Sequence, residues 1–242
     1  MQIDAIALTL RPRSMWEGCD LGVRLLQSRM RSVYACYLAV AAPTLLLCLA
    51  TYPLEPWLPA LAVWLAKPWL DQAILLALSR ALFGEPTAPS DLWAARSQVL
   101  RPNLLTLLLL RLSASRSFKL PVMQLEGLKG RARRERIGQL TLRHRSVARA
   151  LTLAFVNAEL SLCLSVFVLR VLLAPHIFGL EDGWLAGLAA VQAVPISTIA
   201  YALAVGFLEP FYVAAGFGLY VNRRVELEAW DIEQEFRRAF AR

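Results

Sequence analysis

Two long stretches of the chain carry no charge: VYACYLAVAAPTLLLCLATY at 33–52 and WLAGLAAVQAVPISTIAYALAVGFL at 184–208. A helix needs about 20 mostly apolar residues to cross the hydrocarbon core of a bilayer. With the apolar runs between and after them, these predict four transmembrane helices, at 33–52, 69–83, 149–173 and 196–221. The last is expected to kink at Pro210, and Pro68 and Pro195 mark two further expected kinks. Three apolar pieces, 57–66, 103–112 and 184–194, are too short to span and read as re-entrant or interfacial helices. The predicted fold class is an all-α polytopic membrane protein.

Amphipathic helices are expected at both ends. Ser14 and Glu17 have capping-box spacing ahead of Trp16, Leu21, Leu25 and Leu26. Near the other end Val225, Ala229, Ile232, Phe236 and Phe240 recur at steps of three and four and so share one helical face. This divides the chain into an N-terminal segment 1–32, a membrane domain 33–221 with a basic loop at 113–148, and a C-terminal helix 222–242. A gapless offset relates Trp57-Leu58, Leu61-Ala62 and Pro68 to Trp184-Leu185, Leu188-Ala189 and Pro195, which raises the possibility of an internal duplication.

Composition supports the membrane reading: 57% of the 242 residues are hydrophobic and the mean hydropathy is +0.49. The first 31 residues contain Asp4, Glu17 and Asp20 and no apolar core, so no cleavable signal peptide is expected. The net charge of +8 would suggest nucleic acid in a soluble protein. Here the distribution of charge gives another explanation. Lys and Arg concentrate in 1–32, 84–149 and 222–242, whereas the connections at 53–56 and 174–183 hold none. The positive-inside rule then puts both termini and the basic loop in the cytoplasm, and no nucleic-acid partner is expected. The densest part of the loop, Lys129, Arg131, Arg133, Arg134, Arg136, Arg143, Arg145 and Arg149, is suited to anionic lipid headgroups or to a partner protein, including the acidic start of the C-terminal helix.

Charge within a span is costly and normally faces a partner or a water-filled space. Glu159 and Glu209 fall near the middle of the third and fourth expected spans, and Arg80 lies at similar depth if the second span begins at residue 69. These three, with Asn157 nearby, are expected to form an intramembrane cluster, either a structural ion pair or an ion or proton relay. Lys67 and Asp71 are placed near the outer start of the second span, where Lys67 can snorkel to the headgroups.

Catalytic signatures are absent from the sequence. His144 and His176 are the only histidines, and no nucleophile elbow, zinc-binding helix or phosphate loop is present. Cys19, Cys36, Cys48 and Cys163 lack metal-ligand spacing. No cofactor, metal site or enzyme activity is expected.

Four strings carry a family resemblance: Arg11-Pro12-Arg13-Ser14 with Trp16-Glu17 and Asp20-Leu21-Gly22; Leu78-Ser79-Arg80-Ala81-Leu82-Phe83-Gly84-Glu85; Arg116-Ser117-Phe118 with Leu120-Pro121-Val122 and Gln124-Leu125-Glu126-Gly127-Leu128; and Glu209-Pro210-Phe211-Tyr212 through Asn222-Arg223-Arg224 to Leu227-Glu228-Ala229-Trp230-Asp231-Ile232-Glu233. On these the chain resembles an uncharacterised proteobacterial family of multi-pass membrane proteins. Longer members carry a C-terminal domain of unknown function, and members tend to be encoded beside MoxR-type AAA ATPases and von Willebrand factor A proteins. The resemblance implies a subunit of a membrane assembly that docks cytoplasmic partners, and it supplies no catalytic residues. The alternatives are a small transporter or channel subunit using Glu159, Glu209 and Arg80, and a lipid-active enzyme.

Overall fold

The computed structural model describes residues 13–95, 113–142, 145–173 and 196–228. Every regular element among them is a helix: α1 (Met15–Ser28), α2 (Met30–Leu49), α3 (Leu58–Leu82), α4 (Pro89–Ala94), α5 (Arg116–Leu125), α6 (Gly130–Thr141), α7 (Arg145–Leu173) and α8 (Ile196–Glu228). Four of them, α2, α3, α7 and α8, are long and apolar enough to cross a membrane. The chain is an all-α, membrane-embedded protein.

The spans differ in how deeply they are buried. In its most apolar stretch α3 is 67% buried and α8 72%, against 22% for α2 and 17% for α7. α3 and α8 therefore form the centre. α2 and α7 flank them and turn Leu38, Leu46, Leu47, Leu153, Leu160 and Leu164 outward. An apolar belt of this kind suits contact with acyl chains and would be anomalous in water.

The second span differs from its predicted bounds. Residues 57–66, expected as a separate short helix, are the first turns of α3, which starts at Leu58 and runs unbroken to Leu82. Pro59 sits in the first turn, where its missing N–H is no loss. Pro68 withholds one helical hydrogen bond without ending the helix. The fourth span likewise runs on past its expected end, so that α8 continues without a break to Glu228. At 1.5 Å per residue it is about 50 Å long, well beyond a hydrocarbon core of about 30 Å. Val225 is buried in this continuation. Ala229, Ile232, Phe236 and Phe240 lie outside the described residues, as do 103–112, 184–194, Pro195 and Arg143. The second half of the possible duplication therefore falls there too.

The short helices are part of the bundle. The predicted capping box forms at α1: the Glu17 N–H donates to Ser14 Oγ, and the Ser14 N–H donates to Glu17 Oε2. α1 then runs antiparallel along the end of α8. Gly18 meets Asn222, and Gly22 meets Ala214 and Gly218. A Cβ on Gly22 would lie 1.9 Å from the Ala214 carbonyl oxygen, so only glycine permits this approach. α5 is a half-length helix set beside α8, with Ser117 against Gly216 and with Phe118, Leu120 and Val122 buried. It occupies part of the segment predicted as a basic loop.

Substitution of Gly22 by Ala is expected to destabilise the protein by about 1–3 kcal/mol through overpacking. A Cβ on Gly138, inside α6, meets nothing within 4 Å. Gly138→Ala should therefore be neutral or stabilising by up to about 1 kcal/mol. Thermal unfolding of both variants in detergent checks the contrast.

Candidate functional site

The centre of the bundle holds five ionisable side chains joined end to end. Glu209 on α8 is fully buried and receives two cations. Lys67 of α3 approaches its Oε2 at 2.7 Å, and Arg116, the first residue of α5, pairs with its Oε1. Each cation then reaches a second carboxylate. Lys67 Nζ lies 2.5 Å from Glu159 Oε1 on α7, and Arg116 Nε lies 3.0 Å from Asp71 Oδ2 on α3. The chain of pairs runs Asp71–Arg116–Glu209–Lys67–Glu159 and ties α3, α5, α7 and α8 together. None of the five is more than 9% exposed.

Local sequence explains the geometry. Lys67 and Asp71 are four residues apart on α3 and share a face. Both are buried because the helix begins at Leu58, which puts them about 14 and 20 Å along it. Arg116 heads α5, whose first-turn backbone donors need partners. One of these, the Ser117 N–H, donates to the Tyr212 hydroxyl. That hydroxyl is also 3.0 Å from Thr152 Oγ1. The Arg116 guanidinium stacks over the Tyr212 ring at 4.9 Å. Tyr37 of α2 closes another side of the core and donates its hydroxyl to the Val205 carbonyl.

Two spaces adjoin the cluster. A cavity of about 20 Å³, room for a single water, is lined by Lys67, Ser113, Arg116, Thr152, Glu159 and Tyr212 among others. A groove of about 450 Å³ is lined by Leu61, Trp64, Leu160, Cys163 and Tyr201 together with Glu159. Among the five charges, only Glu159 borders both spaces besides having Lys67 as its partner.

The expected cluster is corrected in half of its members. Glu159 and Glu209 meet as predicted, but through Lys67. Arg80 pairs instead with Glu85 and Asp91 in a partly exposed site at the end of α3. Its predicted depth assumed a helix starting at residue 69; measured from Leu58 it lies about 33 Å along the helix, past the bilayer centre. Asn157 is exposed and donates to the Leu153 carbonyl of its own helix. It is two residues from Glu159, and residues so spaced do not face the same way. Snorkelling of Lys67 is likewise replaced by burial at 2% exposure. Pro68 and Pro210 each adjoin a charged member of the cluster in sequence.

Of the docking residues, Lys129, Arg131, Arg134, Arg145 and Arg149 are exposed and Arg133 is half-buried. Arg136 is held inward by Glu126 at 2.9 Å and by Glu228 of α8. Burial works against the Arg136 charge, but the hydrogen bonds it donates to Glu126 and Glu228 outweigh it and raise its pKa above the usual value. Among the described residues, Arg136 makes the expected contact between the basic segment and the acidic start of the C-terminal helix. Among the described residues no group of His, Cys, Asp and Glu could hold a metal ion.

Removing one cation while leaving its carboxylates buried should cost about 3–5 kcal/mol. Lys67→Met and Arg116→Met are expected to show this as a large drop in thermal midpoint in detergent. Arg80→Leu should shift stability by no more than about 1 kcal/mol, the range for exposed ion pairs. The reverse order would assign the core charge to Arg80 after all.

Comparison with family models, with curated proteins and with solved structures finds no match to this chain.

Proposed function

We propose that the chain is an integral membrane subunit of a bacterial inner-membrane assembly, and that α6 is its docking face for a cytoplasmic partner. The observation that carries this is the contrast between two sets of charges. Those in the core of the bundle pair with one another. On α6, Arg131 is 92% exposed and pairs with Glu135 one turn on, while Arg136 turns inward and clamps the helix to α8 through Glu126 and Glu228. An arginine-rich helix anchored through Arg136 and the buried Leu140, with Arg131 and Arg134 left exposed, suits an acidic protein surface or anionic headgroups. The family resemblance points to a MoxR-type AAA ATPase system as the protein partner. Both termini lie on the same, cytoplasmic side in this reading.

A second reading, a transporter or channel subunit, is favoured by the position of Glu159 at the junction of the groove and the small polar cavity. It would use Lys67, Asp71, Glu159 and Glu209 rather than Arg80.

Affinity purification from native membranes in mild detergent separates the two. Under the first reading a cytoplasmic ATPase co-elutes with the wild type, and the triple variant Arg131→Glu, Arg133→Glu, Arg134→Glu loses it while remaining folded. If nothing co-elutes under conditions that preserve other complexes, the assembly reading fails. Retention of the partner by the triple variant would move the docking face away from α6.

A further inference from the structure

We propose that α7 carries a face on which a second copy of this chain packs, with the two Asn157 side chains hydrogen-bonded to each other inside the bilayer. The inference rests on α7 crossing the membrane and is independent of docking by α6. In its most apolar stretch α7 is the least buried of the four spans. It turns Ala148, Phe155 and Glu159 to the bundle. At about 100° per residue, Ala150, Ala154, Asn157, Ser161 and Ser165 fall within an arc of about 80° on the far side of the helix, and all five are exposed. α2 also faces outward, but its exposed positions Ala35, Leu38, Ala39, Ala42 and Leu46 are apolar. The polar line belongs to α7 and is not a general feature of outward faces.

Asn157 is the member that most needs a partner. It lies about 18 Å along α7 from Arg145, well inside a hydrocarbon core of about 30 Å. Its Nδ2 donates one hydrogen bond to the Leu153 carbonyl at 2.8 Å. The second N–H and the Oδ1 make none among the described residues. Acyl chains offer neither donor nor acceptor, so an amide left against them is unfavourable. Ala150 and Ala154 before it, and Ser161 and Ser165 after it, let the backbone of another helix come close. Symmetry selects a second copy as that helix. Copies of one chain insert in the same orientation, so a two-fold axis between them runs along the membrane normal and the two α7 helices run parallel. A residue at their crossing point then meets itself. An asparagine amide both donates and accepts, so Asn157 complements Asn157 of the partner subunit, each Nδ2 donating to the other Oδ1. Arg145 and Arg149 lie about 120° or more around the helix from this line, so their charges stay off the contact.

Sedimentation equilibrium of the full chain in a density-matched mild detergent tests this. The wild type should form a reversible dimer of twice the 27.0 kDa chain mass. Asn157→Leu should weaken the dimer at least about tenfold, the size of one polar pair between membrane helices. Ala154→Ile should weaken it by blocking close approach, and Ala39→Ile on the outward face of α2 should leave it unchanged. All three positions are exposed, so the thermal midpoint of the diluted monomer should hold in each variant. A wild type that stays monomeric at every concentration overturns the proposal, as does a dimer that Asn157→Leu leaves at full strength. Equal weakening by Ala39→Ile would move the contact off α7 and overturn it as well. A monomeric wild type whose thermal midpoint falls in Asn157→Leu would seat another part of the same chain on this face in place of a second copy.

Discussion

Glu209 sets a requirement that the rest of the molecule has to meet. A carboxylate buried in the centre of a membrane bundle must be matched by cations that are themselves buried and themselves satisfied. Lys67 and Arg116 meet the first condition, and Glu159 and Asp71 meet the second. Because these residues come from α3, α5, α7 and α8, the electrostatic requirement is also a geometric one. Rotating α3 by one residue, about 100°, would carry Lys67 away from both of its partners. A buried ion network is a weak source of net stability compared with apolar packing, since removing each charge from water costs several kcal/mol. Its stronger effect is on uniqueness. Apolar helices in lipid can slide or rotate against one another at small cost, whereas these cannot without stranding a charge.

The same requirement accounts for the short helices. Arg116 reaches Glu209 only if α5 enters the bundle, and α5 can enter only if its backbone comes close to α8. Gly216 makes that possible by accepting Ser117 where a side chain would stand. Gly22 and Gly218 do the same for α1. Small residues at helix contacts are the usual means of close approach in membranes, where packing and hydrogen bonds replace the hydrophobic drive. Tyr212 adds a polar tie, since its hydroxyl serves the first turn of α5 and Thr152 of α7 while its ring lies under the Arg116 guanidinium.

The parts of this structure that depend on local pattern were legible in the sequence. The capping box at Ser14, the four long apolar helices and the intramembrane position of Glu159 and Glu209 all follow from spacing and hydropathy within a single segment. The partners of those carboxylates were not legible, for two reasons. Pro68 resembles a boundary, so the second span seemed to start after it. That shift of about ten residues moved Lys67 and Asp71 to the surface and brought Arg80 to the centre. Arg116 was hidden differently: it lies in a segment dense with arginines, and nothing local sets it apart from neighbours that face water. The one available signal was its context, Phe118, Leu120, Pro121 and Val122, an apolar run too short to span but long enough to fill half a bundle.

Arg116 also bears on how the charge rule should be read here. The positive-inside argument treats a basic segment as a block, and it took every cation between 84 and 149 as a marker of the same side. Arg116 is no marker, because it is consumed inside the bundle. Arg136 is partly consumed as well, by Glu126 and Glu228. Among the described residues Lys129, Arg131, Arg134, Arg145 and Arg149 are still exposed, on α6 and at the start of α7. Within this segment fewer of the described cations therefore mark the side than the sequence offered, while those of 1–32 and 222–242 are unaffected. These same residues make up the docking surface proposed above. If α6 is the docking face, orientation and docking draw on overlapping charges, so a substitution that weakens the one is expected to weaken the other, and neutralising one arginine of α6 at a time is the way to separate them.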